Sequence, residues 1–157
     1  MSWQAYVDDS LVKSGHIDKA AIISVAGDSV WATSAGFTVR HPPFYPEYTS
    51  PVFAFIPNNI DHIPLKPDEM KNIANVVTGA AGAVDKALAE GIHVGGERYV
   101  VFRAEDRSMY GRQGRTGILA VKTTQAILVG HYGEGVQAGN AAQTVEALAD
   151  YLIKVGY

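Results

Sequence analysis

The chain has 157 residues, 47% hydrophobic and 18% charged, with a formal net charge of -3 and no cysteine. That length suits one domain with a single substantial core, and the composition is that of a globular chain rather than a disordered one. The missing cysteines exclude a disulfide scaffold, a thiolate nucleophile and a Cys-based zinc site; the negative balance argues against general nucleic-acid affinity; and no apolar run reaches the roughly 18 residues of a membrane span.

The opening residues MSWQAYVDD are acidic and lack the apolar stretch of a secretory signal, which fits a cytosolic protein. Residues 2–13 read as a short helix with Ser2 as N-cap. Val7 and Leu11, four apart, point inward; Trp3 and Tyr6 occupy an adjacent face; Ser14-Gly15 ends the helix. Residues 20–25 (AAIISV) and 30–34 (VWATS) flank the turn residues Ala26-Gly27-Asp28-Ser29 and predict a β-hairpin, with Trp31 on its second strand. Residues 40–65 break the pattern. They hold Pro42, Pro43, Pro46, Pro51, Pro57 and Pro64 together with Phe44, Tyr45, Tyr48, Phe53 and Phe55. Proline removes backbone donors, so this stretch reads as an irregular loop whose aromatics pack back on the domain.

Residues 67–77 (PDEMKNIANVV) start with proline, Asp68 and Glu69, the chemistry of a helix N-terminus, and carry the stripe Met70, Ile73, Ala74, Val77. A second short helix spans 84–89 and closes at Gly91. Strands follow at 91–94, 98–105, 108–111, 117–122 and 126–131, with spacing short enough for an antiparallel meander. Residues 136–157 form a long amphipathic helix, opened by Gly139 and Asn140 with Asn140 as N-cap. Its stripe is Val145, Leu148, Ala149 and Leu152, and Gly156 is its left-handed C-cap. Asn140, Gln143, Glu146 and Asp150 make a polar edge; Tyr151 and Tyr157 lie off both. The order of elements predicts an α+β fold, with terminal helices on one face of a central antiparallel sheet and the middle helices on the other.

Trp3, Tyr6, Trp31, Tyr151 and Tyr157 come from the two terminal helices and the first hairpin. If the helices lie side by side, the rings form one exposed shelf. A polyproline II ligand suits such a shelf, because its rings stack on flat aromatic faces while indole N–H and phenol O–H groups donate to its carbonyls. The competing reading is that these rings cap the core; Trp3 and Tyr6, lying off the Val7/Leu11 stripe, weigh against it. Arg98, Arg103, Arg107, Arg112, Arg115 and Lys122, with the glycine-rich turn GRQGRTG at 111–117, form a basic set suited to phosphoinositide head groups or an acidic protein surface. Against that, Glu97, Glu105 and Asp106 are near enough to pair with it. GEGVQAG at 133–139 mimics a dinucleotide fingerprint, but no second parallel strand follows to complete the unit. The histidines show no metal-binding spacing, and no nucleophile elbow or phosphate loop is present.

The stretches SWQAYVDDSLV (2–12), GHIDKAAIISVAGDSVWATSAGF (15–37), PDEMKNI (67–73), GIHVGGERYVVFRAEDRSMYGRQGRTG (91–117), ILVGHY (127–132) and VQAGNAAQTVEALADYLIKVGY (136–157) resemble, in order, the profilin family, most closely the profilins of fungi. The resemblance covers everything but 40–65, where the family runs almost directly from the hairpin into the PDEM helix. The extra segment is either a lineage-specific loop or a retained in-frame intron. The resemblance implies a non-enzymatic protein without cofactor or metal that binds monomeric actin, proline-rich proteins such as formin-type elongation factors, and phosphoinositide lipids. It implies a cytoplasmic, cytoskeleton-associated location. The alternative is a module of the same fold that binds proline-rich or phosphoinositide ligands without actin. The implied polyproline site is Trp3, Tyr6, Trp31, Tyr151, Leu152 and Tyr157. The implied actin face is Gln137, Gly139, Asn140, Gln143 and Glu146 with Arg103, Arg107 and Arg112; the implied phosphoinositide contacts are Arg103, Arg107, Arg112 and Arg115. The two protein-binding sites are expected on different faces.

Overall fold

The computed structural model describes residues 2–34, 67–94, 97–105 and 107–157; the expected insertion at 40–65 lies outside them. The described residues include seven strands: β1 (Lys19–Ser24), β2 (Val30–Thr33), β3 (Ile92–Val94), β4 (Glu97–Glu105), β5 (Ser108–Gln113), β6 (Thr116–Lys122) and β7 (Ala126–Tyr132). They pair antiparallel in the order β2-β1-β7-β6-β5-β4-β3. The meander from β3 to β7 follows from short turns. The pairing of β1 with β7, from Lys19 opposite His131 to Ser24 opposite Ala126, is the long-range step that adds the first hairpin to the sheet.

Among the described residues, four helical segments clothe this sheet. The first begins as α1 (Trp3–Ala5), widens into a π-helical stretch (Tyr6–Leu11) and tightens to a 3-10 turn (Val12–Ser14). The Ser2 side chain accepts from the Ala5 amide, as an N-cap should. The others are α2 (Pro67–Val77), α3 (Ala83–Glu90) and α4 (Ala138–Lys154). Strand alternation divides the core in two. Ala20 and Ile22 of β1 join Val7, Leu11, Leu119, Leu128, Val145 and Leu152 under the terminal helices. Ala21 and Ile23 join Ile73, Val77, Ile118, Ile127 and Val129 under α2 and α3. The α+β arrangement with terminal helices on one face and short helices on the other is therefore the observed fold.

Two local expectations are corrected. Asn140 does not cap α4. The first helical bonds close one turn earlier, with the amides of Asn140 and Ala141 donating to the Gln137 carbonyl, so Asn140 lies inside the helix and its carbonyl accepts from Thr144 Oγ1. Nor is GRQGRTG a loop throughout. Arg112 and Gln113 belong to β5, Thr116 and Gly117 to β6, and only Gly114 (φ +60°) and Arg115 form the turn. The far end of α4 is as expected. Gly156 at φ +97° lets its own amide reach the Ile153 carbonyl and the Tyr157 amide reach the Leu152 carbonyl, a Schellman closure.

Among the described residues, two β-bulges interrupt the ladder, each at an aromatic residue. On β2, Ala32 faces Ile22 and Val30 faces Ile23, so Trp31 is an extra residue. On β4, Val101 faces Gly111 and Arg103 faces Tyr110, so Phe102 is the extra residue. A bulge re-aims a side chain without disturbing the register beyond it.

Candidate functional site

The expected aromatic set does assemble. Trp3 is the hub: its ring centroid lies 4.9 Å from Trp31, 5.2 Å from Tyr157 in an edge-on arrangement, and 6.0 Å from Tyr6. Tyr6 in turn lies 6.2 Å from Tyr151. Tilted and edge-on pairs at these separations are the favoured aromatic geometries, each contributing about 0.5–1.5 kcal/mol beyond burial. The bulge at Trp31 swings its indole to the terminal-helix side, where Trp3 meets it. Tyr151 and Tyr157 are exposed, Trp3 and Trp31 half-buried, and Tyr6 is mostly buried at the base. Burial first, and the neighbouring Tyr151 hydroxyl second, push the Tyr6 phenol above its ordinary value.

Leu152 departs from the expectation. It is fully buried in the core stripe of α4, so it is the floor under the rings and presents no surface to a ligand. Its place on the Val145/Leu148 stripe already pointed inward.

The basic positions divide. Arg103 donates to Glu105 at 2.7 Å and stacks 5.5 Å from the Tyr110 ring centroid. Arg115 donates to Glu134 at 2.6 Å. Arg107 reaches across to α4, donating to Asp150 at 2.6 Å and to Glu146 at 3.5 Å. The hydrogen bond to Asp150 is the chief reason that its guanidinium holds its proton more tightly than usual. Arg112 is exposed and makes no ion pair among the described residues. Glu146 also accepts from Ser108 Oγ at 2.9 Å and from the Tyr110 hydroxyl. Burial, then this carboxylate, raise the Tyr110 phenol above its ordinary value. Arg107 and Glu146 thus stitch α4 to β5, whereas Gln137, Gly139, Asn140 and Gln143 are exposed at the start of α4.

Beside this seam lie Val100 and Phe102, exposed by 53% and 52%, with Phe102 6.4 Å from Tyr110 ring to ring. Sequence reasoning missed both. Strand alternation held the signal: with Tyr99 and Val101 inward, Val100 is an apolar residue on the outward face. The aromatic shelf and the Val100/Phe102 surface lie on the same side of the sheet, on opposite flanks of α4, because β2 and β1 sit to one side of β7 and β6 while β5 and β4 sit to the other. Among the described residues, no three His, Asp or Glu side chains converge as metal ligands, and no helix is long and apolar enough to cross a membrane.

An antiparallel sheet clothed on both faces, with an exposed aromatic shelf and a separate mixed apolar and basic face, defines a small α+β binding domain. The chain belongs to the profilin family, actin-binding regulators of the cytoskeleton, whose sequence profile matches residues 1–157. It is 43% identical over 159 aligned residues to the profilin of Schizosaccharomyces pombe, covering 100% of both chains. The crystal structure of that S. pombe protein superimposes with a TM-score of 0.77 at 42% identity, over 99% of this chain and 100% of the other. A mouse profilin IIa, solved in complex with a double repeat from the FH1 domain of mDia1, shares the fold at 21% identity, with a TM-score of 0.68 and 100% of each chain covered.

Proposed function

We propose that this protein binds monomeric actin and proline-rich segments at once, delivering actin to elongation factors of the formin type. The observation that carries the reading is the linked cluster Trp31–Trp3–Tyr157 with Tyr6 and Tyr151. Mutually tilted rings that are exposed at Tyr151 and Tyr157 and half-buried at Trp3 and Trp31 offer the flat faces and donors that a polyproline II helix uses. The mouse relative's complex with a formin FH1 repeat supports the same partner class. The proposed contact residues are Trp3, Tyr6, Trp31, Tyr151 and Tyr157.

Actin is assigned to the other flank of α4. Gln137, Gly139, Asn140 and Gln143 supply the helix side, and Arg103, Arg112, Val100 and Phe102 the strand side. Arg107 and Glu146 hold the seam between them. With sites on either flank of one helix, a tethered proline-rich partner raises the local concentration of the actin it receives. Phosphoinositide binding rests chiefly on Arg112, because Arg103, Arg107 and Arg115 already have carboxylate partners; an anionic head group must displace those partners to use them. The protein would act in the cytoplasm beside the actin cytoskeleton, as a single domain interrupted at about 40–65, and it performs no catalysis.

The test is a titration with polyproline peptide followed by tryptophan fluorescence, since both tryptophans sit in the cluster. A saturable change that disappears in Trp3→Ala supports the shelf. An unchanged spectrum would sink it. Actin is tested separately, by the loss of spontaneous polymerisation of pyrene-labelled monomers.

A further inference from the structure

Tyr157 is the one shelf residue that no helix or strand carries. It follows the end of α4, is exposed by 43%, and its edge-on contact with Trp3 needs the tail to hold one direction. A residue beyond the end of a helix keeps one direction only where its backbone is tied down. The Schellman closure sets its starting direction, but that bond pair ends at the Tyr157 amide. Beyond it, both carbonyls of the tail are taken by a single loop on the sheet. The Thr124 amide donates to the Tyr157 carbonyl at 3.1 Å, and Gln125 Nε2 donates to the Gly156 carbonyl at 3.4 Å.

That loop, the connection from β6 to β7, is itself held firmly. Thr123 is buried, its amide donates to the Ala126 carbonyl, and its hydroxyl accepts from the Ala126 amide at 3.1 Å. The Gln125 carbonyl accepts from Val25 at the end of β1. A rigid loop between the two central strands therefore presents two donors to two consecutive tail carbonyls.

We infer that the β6–β7 connection is a positioning element of the aromatic shelf, with Thr124 and Gln125 fixing Tyr157 against Trp3. Neither residue touches the ligand; both act through the last ring. The inference rests on the reading of the shelf as the proline-rich site. It makes the connecting loop, far in sequence from every ring of the shelf, a determinant of affinity for proline-rich ligands.

The experiment compares the full chain with Gln125→Ala, Gln125→Glu and Gly156→Ala by polyproline titration. Glu keeps the length of Gln but removes the donor. A methyl at Gly156 meets nothing within 4 Å and acts only through the positive φ, so it perturbs the tail direction without disturbing the packing. Each variant is expected to weaken binding about threefold, the scale of one solvent-exposed hydrogen bond. In a Tyr157→Ala background the Gln125 substitutions are expected to add nothing, which a general loss of stability would not produce. Wild-type affinity in all three variants, or an undiminished effect of Gln125→Ala without the Tyr157 ring, overturns the inference. If wild-type protein does not bind the peptide at all, the shelf reading fails. The clasp is then judged alone by hydrogen exchange: faster exchange of the Thr124 amide in Gly156→Ala supports it, and unchanged exchange overturns it.

Discussion

Arg107, from the connection between β4 and β5, donates to Asp150 on α4 at 2.6 Å, which ties the later part of the last helix's polar edge to the sheet while Asn140 and Gln143 at its start stay exposed. Asp150 is 68% exposed, and an ion pair that open contributes at most about 1 kcal/mol to stability. Its role is orientation. Arg107→Ala is expected to lower actin affinity by roughly fivefold through a looser α4–β5 seam while leaving polyproline affinity unchanged, with thermal stability nearly intact. Measuring both ligands on the same preparation checks this; equal losses for both would instead indicate global damage.

Trp3 touches three other rings, and its removal breaks three aromatic pairs at once. Trp3→Ala is expected to weaken proline-rich ligand binding by about tenfold or more, the scale of an aromatic hot spot. Trp31→Phe keeps a ring at the bulge but loses the indole donor. It is expected to cost less, on the order of threefold. Calorimetric titration of the two variants tests the ranking, and the reverse order would make Trp31 the hub.

Phe102 is half exposed and fills no cavity, so Phe102→Ala should leave the melting temperature within a degree or two, on the order of a neutral surface change. Its expected effect is on actin, a loss of about tenfold, with a smaller loss for Val100→Ala. A pyrene-actin assay reads this directly. Full actin affinity in both variants would remove the outward face of β4 from the interface.

Burial pushes the Tyr99 phenol up to about 12, with Glu97 and Asp18 adding to the effect. The unfolded chain releases this proton near pH 10 while the folded chain keeps it, so the native state binds more protons in that interval. The resulting stability is fully present below pH 10 and is lost as pH rises toward 12, about 2–3 kcal/mol in all. Tyr110 and Tyr132 are raised in the same direction, chiefly by burial, and steepen the decline. Urea unfolding between pH 9 and 12 should show it, and Tyr99→Phe should flatten the curve.

Periodicity made much of this legible. The stripe of α2 and that of α4 are buried as their spacing requires, and the Ser2 cap and the Gly156 reversal follow from local backbone chemistry. What stayed hidden was nonlocal. Nothing near Lys19 marks β7 as its neighbour, because pairing between distant strands is decided by the packing of both faces. Arg107 reads as a solvent-facing cation in sequence because its partners lie 39 and 43 residues away. The start of α4 is displaced because a good capping residue, Asn140, competes with a turn at Gly133–Val136 that delivers the chain into helix earlier. Leu152 carries two readings at once, core stripe and ligand surface, and burial decides for the first.

The two bulges make the rings of Trp31 and Phe102 removable units. Deleting Trp31 would leave Val30 opposite Ile23 and Ala32 opposite Ile22 in unbroken alternation; deleting Phe102 would do the same for Val101 opposite Gly111 and Arg103 opposite Tyr110. Elsewhere in a sheet a one-residue deletion turns every later side chain to the wrong face. Here it would straighten the strand and erase the ring alone. A single-codon deletion at either point would therefore remove one ring from the surface while the core keeps its register.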